Sequence, residues 1–397
     1  MLERLLREYV REGSAAFSLP DGRRLMVGDD PDPPVAVRLA DWATLRRIAA
    51  KPALAVGEAF MDGGLIMERG SIYDLVDLVA RRPMQSLGLL GRLRARMDQA
   101  NDRRASRQNV AHHYDLSYDL YRRFLDQDMQ YSCAVFERPD MTLEEAQAAK
   151  KRRLAAKLLL QPGMRVLDIG CGWGGLALTL AELGAEVVGV TLSQEQLTIA
   201  RARAEERGLS NRVRFELCDY RDVQGPFDRI ISVGMFEHVG VPNFPAYFDA
   251  VSRLLSDDGV AVIHSIGRKD GPGATQPWIA KYIFPGGYIP ALSEVLPAIE
   301  PTGMWVTDVE ILRLHYAETL RHWRQRFMAR REEIAGLYDE RFCRMWEFYL
   351  VVSEIAFRRR GHMVFQLQLS KRVDAVPLTR DYLGDFQTRA AASVRAA

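Results

Sequence analysis

The chain has 397 residues, 48% of them hydrophobic and 27% charged, with a net charge of +2. That length holds about two domains with a substantial core, and the near-neutral balance gives no reason to expect nucleic acid as a partner. Four cysteines, none in a Cys-x-x-Cys pair, argue against a disulfide scaffold or a structural zinc site and fit a reducing, cytoplasmic compartment. No apolar run approaches the ~20 residues of a bilayer span, so any contact with lipid is expected to be peripheral.

Residues 2–10 (LERLLREYV) alternate charge with leucine and read as a short amphipathic helix rather than a signal peptide. Short strands are expected within 17–30, around the Asp21-Gly22 turn, and over 35–39. Helices are expected over 42–48, 54–60 and 72–80, with Lys51-Pro52, Gly63-Gly64 and Gly70 as punctuation. Residues 1–95 therefore read as a small N-terminal mixed α/β domain, suited to lipid contact or to dimerisation, and 96–108 as a polar linker. The remainder reads as a catalytic domain over 109–385 with a frayed tail, 386–397.

From residue 109 the texture changes. Residues 112–136, HHYDLSYDLYRRFLDQDMQYSCAVF, mix aromatics, histidines and turn formers with no clean period, as a cap over a site would. Thr142-Leu-Glu-Glu145 is a capping box that opens a helix to about residue 160 and carries the basic run 150–153. An α/β pattern follows. Strands are expected over 165–169, 186–190, 213–218, 227–232 and 259–265, with helices over 176–183 and 193–207 and from 244. Residues 267–287 form a long glycine- and proline-rich excursion. Beyond it come helices near 291–298 and 318–333, a strand over 305–314, an apolar helix over 342–358 and a final edge strand over 363–371.

The run RVLDIGCGWGG, 165–175, organises this half. A buried parallel strand delivers the chain into a glycine turn and then a helix, and the crevice at the strand's carboxyl end is where such sheets bind ligands. Gly170 and Gly172 remove Cβ atoms that would keep a nucleotide-like ligand off the backbone. Asp168, just before the first glycine, suits a cationic or hydroxyl-bearing ligand better than a pyrophosphate.

Four places put reactive side chains at strand ends or in the cap. They are Tyr131-Ser132-Cys133, Glu237-His238 after the strand 227–232, His264 ending the next strand, and His315-Tyr316 ending the strand 305–314. Residues beyond the carboxyl ends of parallel strands converge on one rim, which brings Glu237 and His264 together. A carboxylate, an imidazole, a phenol and a thiol are able to hold a small anion or a water and to accept a proton. Zinc competes as a reading, although no pair has a recognised metal spacing. Packing roles stay open for Cys133, His264 and Tyr316, while Cys171, Cys218 and Cys343 read as packing residues.

The motif around Asp168 resembles motif I of class I S-adenosylmethionine-dependent methyltransferases. QNVAHHYDLSYDLYRRFLD, YSCAVF, VLDIGCGWGG, GVTLSQEQ, DYRD, ISVGMFEHVG and HSIG, in that order, resemble the cyclopropane-fatty-acyl-phospholipid synthase family, with the mycolic acid cyclopropane synthases, over about 105–372. The resemblance implies a Rossmann-like methyltransferase sheet with a helical cap. It also implies transfer of the S-adenosylmethionine methyl group to a cis double bond of a phospholipid acyl chain at the membrane surface. Ring closure would use bicarbonate as general base. The bicarbonate cradle would correspond to Cys133, Glu237, His264 and Tyr316. Cofactor contacts would correspond to Tyr131, Ser132, Gly170, Gly172, Thr191, Gln196, Asp219 and Tyr220, with Tyr114 in the closing cap segment. The phospholipid-acting members carry an N-terminal domain such as 1–95, and a homodimer is compatible with it. Alternatives are a methyltransferase giving a methyl-branched or methylene acyl product, one acting on a soluble small molecule, or a non-catalytic binding protein. One departure stands out: many members read Gly-Cys-Ala or Ala-Cys-Ala before a phenylalanine bordering the acyl pocket, where this chain reads VVSEIAF, with Ser353 and Glu354. An acid there is expected to alter substrate or product.

Overall fold

The computed structural model describes residues 6, 7, 9, 10, 12–81, 117–384 and 386. The linker 96–108 and Tyr114 lie outside these residues, as do most of the 2–10 segment and nearly all of the tail. Two compact units emerge. One joins Met1–Leu87 with Thr275–Pro285 and Ala317–His362, and the other joins Gly88–Ala274 with Gly286–Tyr316 and Met363–Ala397.

In the first unit, β1 (Ala15–Ser18), β2 (Arg24–Val27), β3 (Val35–Leu39) and β4 (Leu65–Arg69) form a mixed sheet in the order β2-β1-β3-β4. Helices α1 (Trp42–Ala50), α2 (Pro52–Met61) and α3 (Ile72–Ala80) accompany it. Asp41 caps α1 by accepting from the Thr44 N–H, and Ser71 with Asp74 forms a capping box at α3. This unit also takes in late parts of the chain, which the sequence reading had grouped with residues 109–385. Trp278 is fully buried and meets the Phe348 ring edge-on, at 4.8 Å between centroids. Gly57 on α2 permits that approach, because a Cβ there would stand 2.5 Å from Trp278 and 2.7 Å from Phe348.

In the second unit a sheet of seven strands runs in the order β10-β11-β9-β8-β5-β6-β7. Its members are β5 (Arg165–Ile169), β6 (Glu186–Thr191), β7 (Val213–Leu217), β8 (Phe227–Val233), β9 (Leu255–Arg268), β10 (Trp305–Leu312) and β11 (His362–Ser370). Strands β5 to β9 pair in parallel, and β10 pairs antiparallel with β11. The order reverses at β5, the switch point at which open α/β sheets take ligands. The helices between residues 117 and 299 are α4 (Tyr118–Tyr121), α5 (Leu143–Lys157), α6 (Gly175–Glu182), α7 (Gln194–Glu206), α8 (Phe244–Leu254), α9 (Pro277–Tyr282) and α10 (Leu292–Ile299). Of these, α9 belongs to the first unit. The capping box forms as expected: the Thr142 hydroxyl accepts from the Glu145 N–H at 3.2 Å, and the Glu145 carboxylate accepts from the Thr142 N–H at 2.8 Å.

Three expectations need correction. The final strand is not an edge, since β11 lies between β9 and β10, buried over most of its length, and β10 takes the edge with Trp305 and Val306 exposed. His315 and Tyr316 do not end a strand but open α11 (His315–Ala329), and the helix expected over 318–333 breaks into α11 and α12 (Arg331–Leu337). A further helix, α13, spans Glu340–Arg359.

Candidate active site

A cleft opens at the carboxyl ends of β5, β6, β7 and β8. Its wall includes Tyr131, Ser132, Asp168, Gly170, Gly172, Thr191, Gln196, Asp219 and Tyr220, so every described residue of the expected cofactor set lies on it. Cys171 and Cys218, expected to be packing residues, line it as well. Gly170 and Gly172 hold φ of +83° and +54°, the left-handed region that a tight strand-to-helix turn requires here.

The polar groups of the wall are held from within. The Thr191 hydroxyl donates to Gln196 Oε1 at 2.9 Å, and Ser193 caps α7 by accepting from the Gln196 N–H. Asp219 is buried and accepts a forked pair of bonds from Arg221, at 2.8 and 2.6 Å. Tyr131 stands edge-on to Tyr121, which lies 4.9 Å from Trp173, giving one side of the cleft an aromatic face suited to a cation. Asp168 is almost wholly buried, with Oδ2 unpartnered among the described residues. Burial pushes its carboxyl up to about 7, and the Lys150 ammonium pulls the other way.

None of the four residues expected to hold an anion is on the cleft wall; Cys133 and Glu237 lie next in the chain to the wall residues Ser132 and His238. Cys133 follows Ser132 and is fully buried. Glu237 lies in a short 3₁₀ turn, Phe236–His238, after β8, and its Oε1 accepts from the Ile266 N–H at 2.6 Å. His264 lies on β9 opposite Val233, and its carbonyl accepts from the Gly234 N–H. Glu237 and His264 are thus fastened to one short stretch of β9. The Phe136 N–H, three residues after Cys133, donates to His315 Nδ1 at 3.1 Å, one residue before Tyr316.

Their protonation states follow from burial. Glu237 Oε2 is buried and unpartnered among the described residues, and burial pushes the carboxyl up to about 7 against the pull of the Ile266 N–H. His264 is held down to about 3 by burial and then by Lys150 and Lys157, so its ring is neutral. The Gln366 amide nitrogen faces its Nδ1 at 3.1 Å. Near neutral pH Glu237 is therefore a carboxyl group that gains or loses a proton, and His264 a neutral imidazole. Among the described residues no group of three or more His, Cys, Asp or Glu side chains is placed to hold a metal ion.

Glu354 is almost wholly buried and ion-paired. Its Oε2 accepts from Arg324 at 3.0 Å and its Oε1 from Arg358 at 2.9 Å, while Arg358 also reaches Glu318 at 2.8 Å. Both carboxylate oxygens are occupied by this network. Sequence reasoning also missed Lys150, Gln147, Gln130 and Trp173. Lys150 is fully buried on α5, although its basic run suggests a solvated face. A signal existed: Leu143, Ala146, Gln147, Lys150, Leu154 and Lys157 fall at helical spacing on one buried face.

A family model described as mycolic acid cyclopropane synthetase matches residues 101–367. Cyclopropane-fatty-acyl-phospholipid synthase of Escherichia coli K12 is 40% identical over 349 residues, covering 86% of this chain and 89% of that protein. Tuberculostearic acid methyltransferase of Mycobacterium tuberculosis is 39% identical over 390 residues, covering 92% and 90%. Among solved structures, mycolic acid cyclopropane synthase CmaA1 complexed with SAH and CTAB aligns with a TM-score of 0.62 at 36% identity, over 66% of this chain and 97% of that one.

Proposed function

The chain belongs to the mycolic acid cyclopropane synthetase and cyclopropane-fatty-acyl-phospholipid synthase family, and from that premise we propose that it converts a cis double bond of a phospholipid acyl chain into a cyclopropane ring. At the coarser level it is an S-adenosylmethionine-dependent enzyme that modifies an unsaturated fatty acyl chain. The phospholipid reading is carried by coverage. The match to the Escherichia coli synthase takes in 86% of the chain, too large a share to fit within residues 101–397. The solved mycolic acid synthase covers only 66%.

When bound, S-adenosylmethionine would supply an electrophilic methyl group, and bicarbonate, which Cys133, Glu237, His264 and Tyr316 would hold, would supply a base. The chain's own residues do the rest. The turn at Gly170 and Gly172 admits the cofactor to the backbone, and the faces of Tyr131 and Trp173 favour a sulfonium charge. Ring closure after methyl addition requires loss of one proton from the added carbon. Glu237, with its carboxyl near 7, is matched to relay that proton at Oε2. His264, being neutral, would orient an oxyanion without adding a charge that would weaken it as a base.

No helix of the described residues is long and apolar enough to cross a membrane, which agrees with a peripheral approach to the lipid. A second reading, methylation without ring closure, is favoured by the similarity to tuberculostearic acid methyltransferase. Incubation with methyl-labelled S-adenosylmethionine and vesicles of unsaturated phospholipid, followed by gas chromatography–mass spectrometry of the fatty acids, separates the two. Labelled cyclopropane acids are expected. Methyl-branched or methylene acids alone would establish the second reading, and label confined to an aqueous metabolite extract would overturn both.

A further inference from the structure

Behind the cleft, α5 presents two polar side chains, Gln147 and Lys150, both buried and neither on the cleft wall. They converge on one short segment. The Lys150 ammonium donates to Gln130 Oε1 at 2.5 Å and to the Ser132 hydroxyl at 2.9 Å. Gln147 Nε2 donates to the carbonyls of the same two residues, at 3.2 Å to Gln130 and 2.9 Å to Ser132. Side chains and backbone of Gln130 and Ser132 are thus clamped by groups one helical turn apart. Between them Tyr131 faces the cleft, and immediately after them Cys133 begins the anion site.

We propose that Lys150 and Gln147 are positioning residues, which fix the Gln130–Ser132 segment so that Tyr131 and Ser132 are presented to the cofactor. The inference rests on the reading of the cleft as the S-adenosylmethionine site. A buried ammonium is costly unless it is needed and paired, and a methionine would fill this space without that cost. Its surroundings retain the charge. Asp126 and Asp128 face it from the preceding loop, Lys151 from its own helix, Cys133 from the clamped segment, Asp168 from β5 and His264 from β9. Burial lowers Lys150 only to about 8, so it remains an ammonium at neutral pH. One charge therefore acts on Asp168 beneath the cofactor turn and on His264 of the anion site.

The test is calorimetric titration of the full chain with S-adenosylmethionine, with thermal melting in parallel. Lys150→Met keeps the stem and removes the charge. Loss of two charge-assisted bonds to the cleft segment should raise the Kd about tenfold or more. In a Gln130→Ala/Ser132→Ala background the same substitution should change the Kd by less than about twofold, because its acceptors are gone. A purely structural lysine would lower the melting point and show its full effect on affinity in both backgrounds, which would overturn the proposal. Gln147→Met provides an independent variant should Lys150→Met not fold, and a wild-type Kd there would also overturn it. Wild-type protein that fails to bind S-adenosylmethionine would overturn the cofactor reading and this inference with it, whereas wild-type affinity in Lys150→Met would overturn this one alone.

Discussion

Two glycines of the cofactor turn do different jobs, and alanine separates them. A Cβ at Gly170 would lie 2.9 Å from both Cβ and Cγ of Met235, whereas one at Gly172 would meet nothing within 4 Å. Both positions are left-handed, which costs an L residue about 1–2 kcal/mol. Gly172→Ala should lose roughly that amount, a fall of about 2–8 °C in melting temperature for a unit of this size. Gly170→Ala adds overlap with a packed side chain, about 1–3 kcal/mol more, and should melt distinctly lower. A bulky substitution at Gly170 therefore tests the fold as much as the ligand. Gly172 is the cleaner probe: its methyl would point into open cleft and should weaken S-adenosylmethionine by about tenfold, or about 1.4 kcal/mol. Titration calorimetry and melting of both variants at pH 7 provide the check. Wild-type affinity in Gly172→Ala would remove the cofactor from this part of the cleft, and equal melting of the two variants would show that Met235 gives way.

Two further outcomes follow from the charged groups. Glu237→Gln keeps an oxygen to accept from the Ile266 N–H but cannot relay a proton, so turnover should fall at least ~10-fold with cofactor affinity unchanged. Because burial raises the Glu237 pKa to about 7, the ionised form appears only as pH rises through that value. Wild-type turnover should climb across that window and the variant should lack the limb; wild-type turnover in Glu237→Gln would refute the relay. Glu354→Ala should destabilise the protein by about 2–3 kcal/mol, less than for a fully buried pair because Arg324 and Arg358 stay 22% and 25% exposed. The ratio of cyclopropane to methyl-branched product should not move, and a shifted ratio in the fatty acid profile would restore Glu354 to the acyl pocket.

What was legible in the sequence was local. The apolar run 165–169 is bounded by turn residues, Thr142 and Glu145 announce their own capping box, and the five parallel strands lie where their patterns predict. What was not legible depends on partners far along the chain. Strand β11 reads as an edge because Gln366 and Gln368 alternate with apolar residues, yet both glutamines are fully buried. One meets His264 and the other donates to the Lys157 carbonyl. The helices within 317–362 join the N-terminal unit through contacts such as Arg359 with Asp77 and Phe348 with Trp278, pairings that no local pattern encodes.

The same distinction explains the site. Strand ends mark Glu237, just after β8, and Asp168, one residue before the end of β5, but His264 does not end its strand as expected, because β9 runs on to Arg268. Their chemistry depends on what surrounds them. Asp168 and Glu237 are carboxyls near 7 and His264 is neutral because each is buried, and the one charge that acts on both Asp168 and His264 belongs to Lys150. In a solvated basic run that lysine would be interchangeable with its neighbours. Placed on the buried face opened by Thr142, it has no substitute, since Lys151 one residue on turns instead to Asp128. Helical phase, set by a capping box eight residues upstream, decides which of two adjacent lysines serves the site.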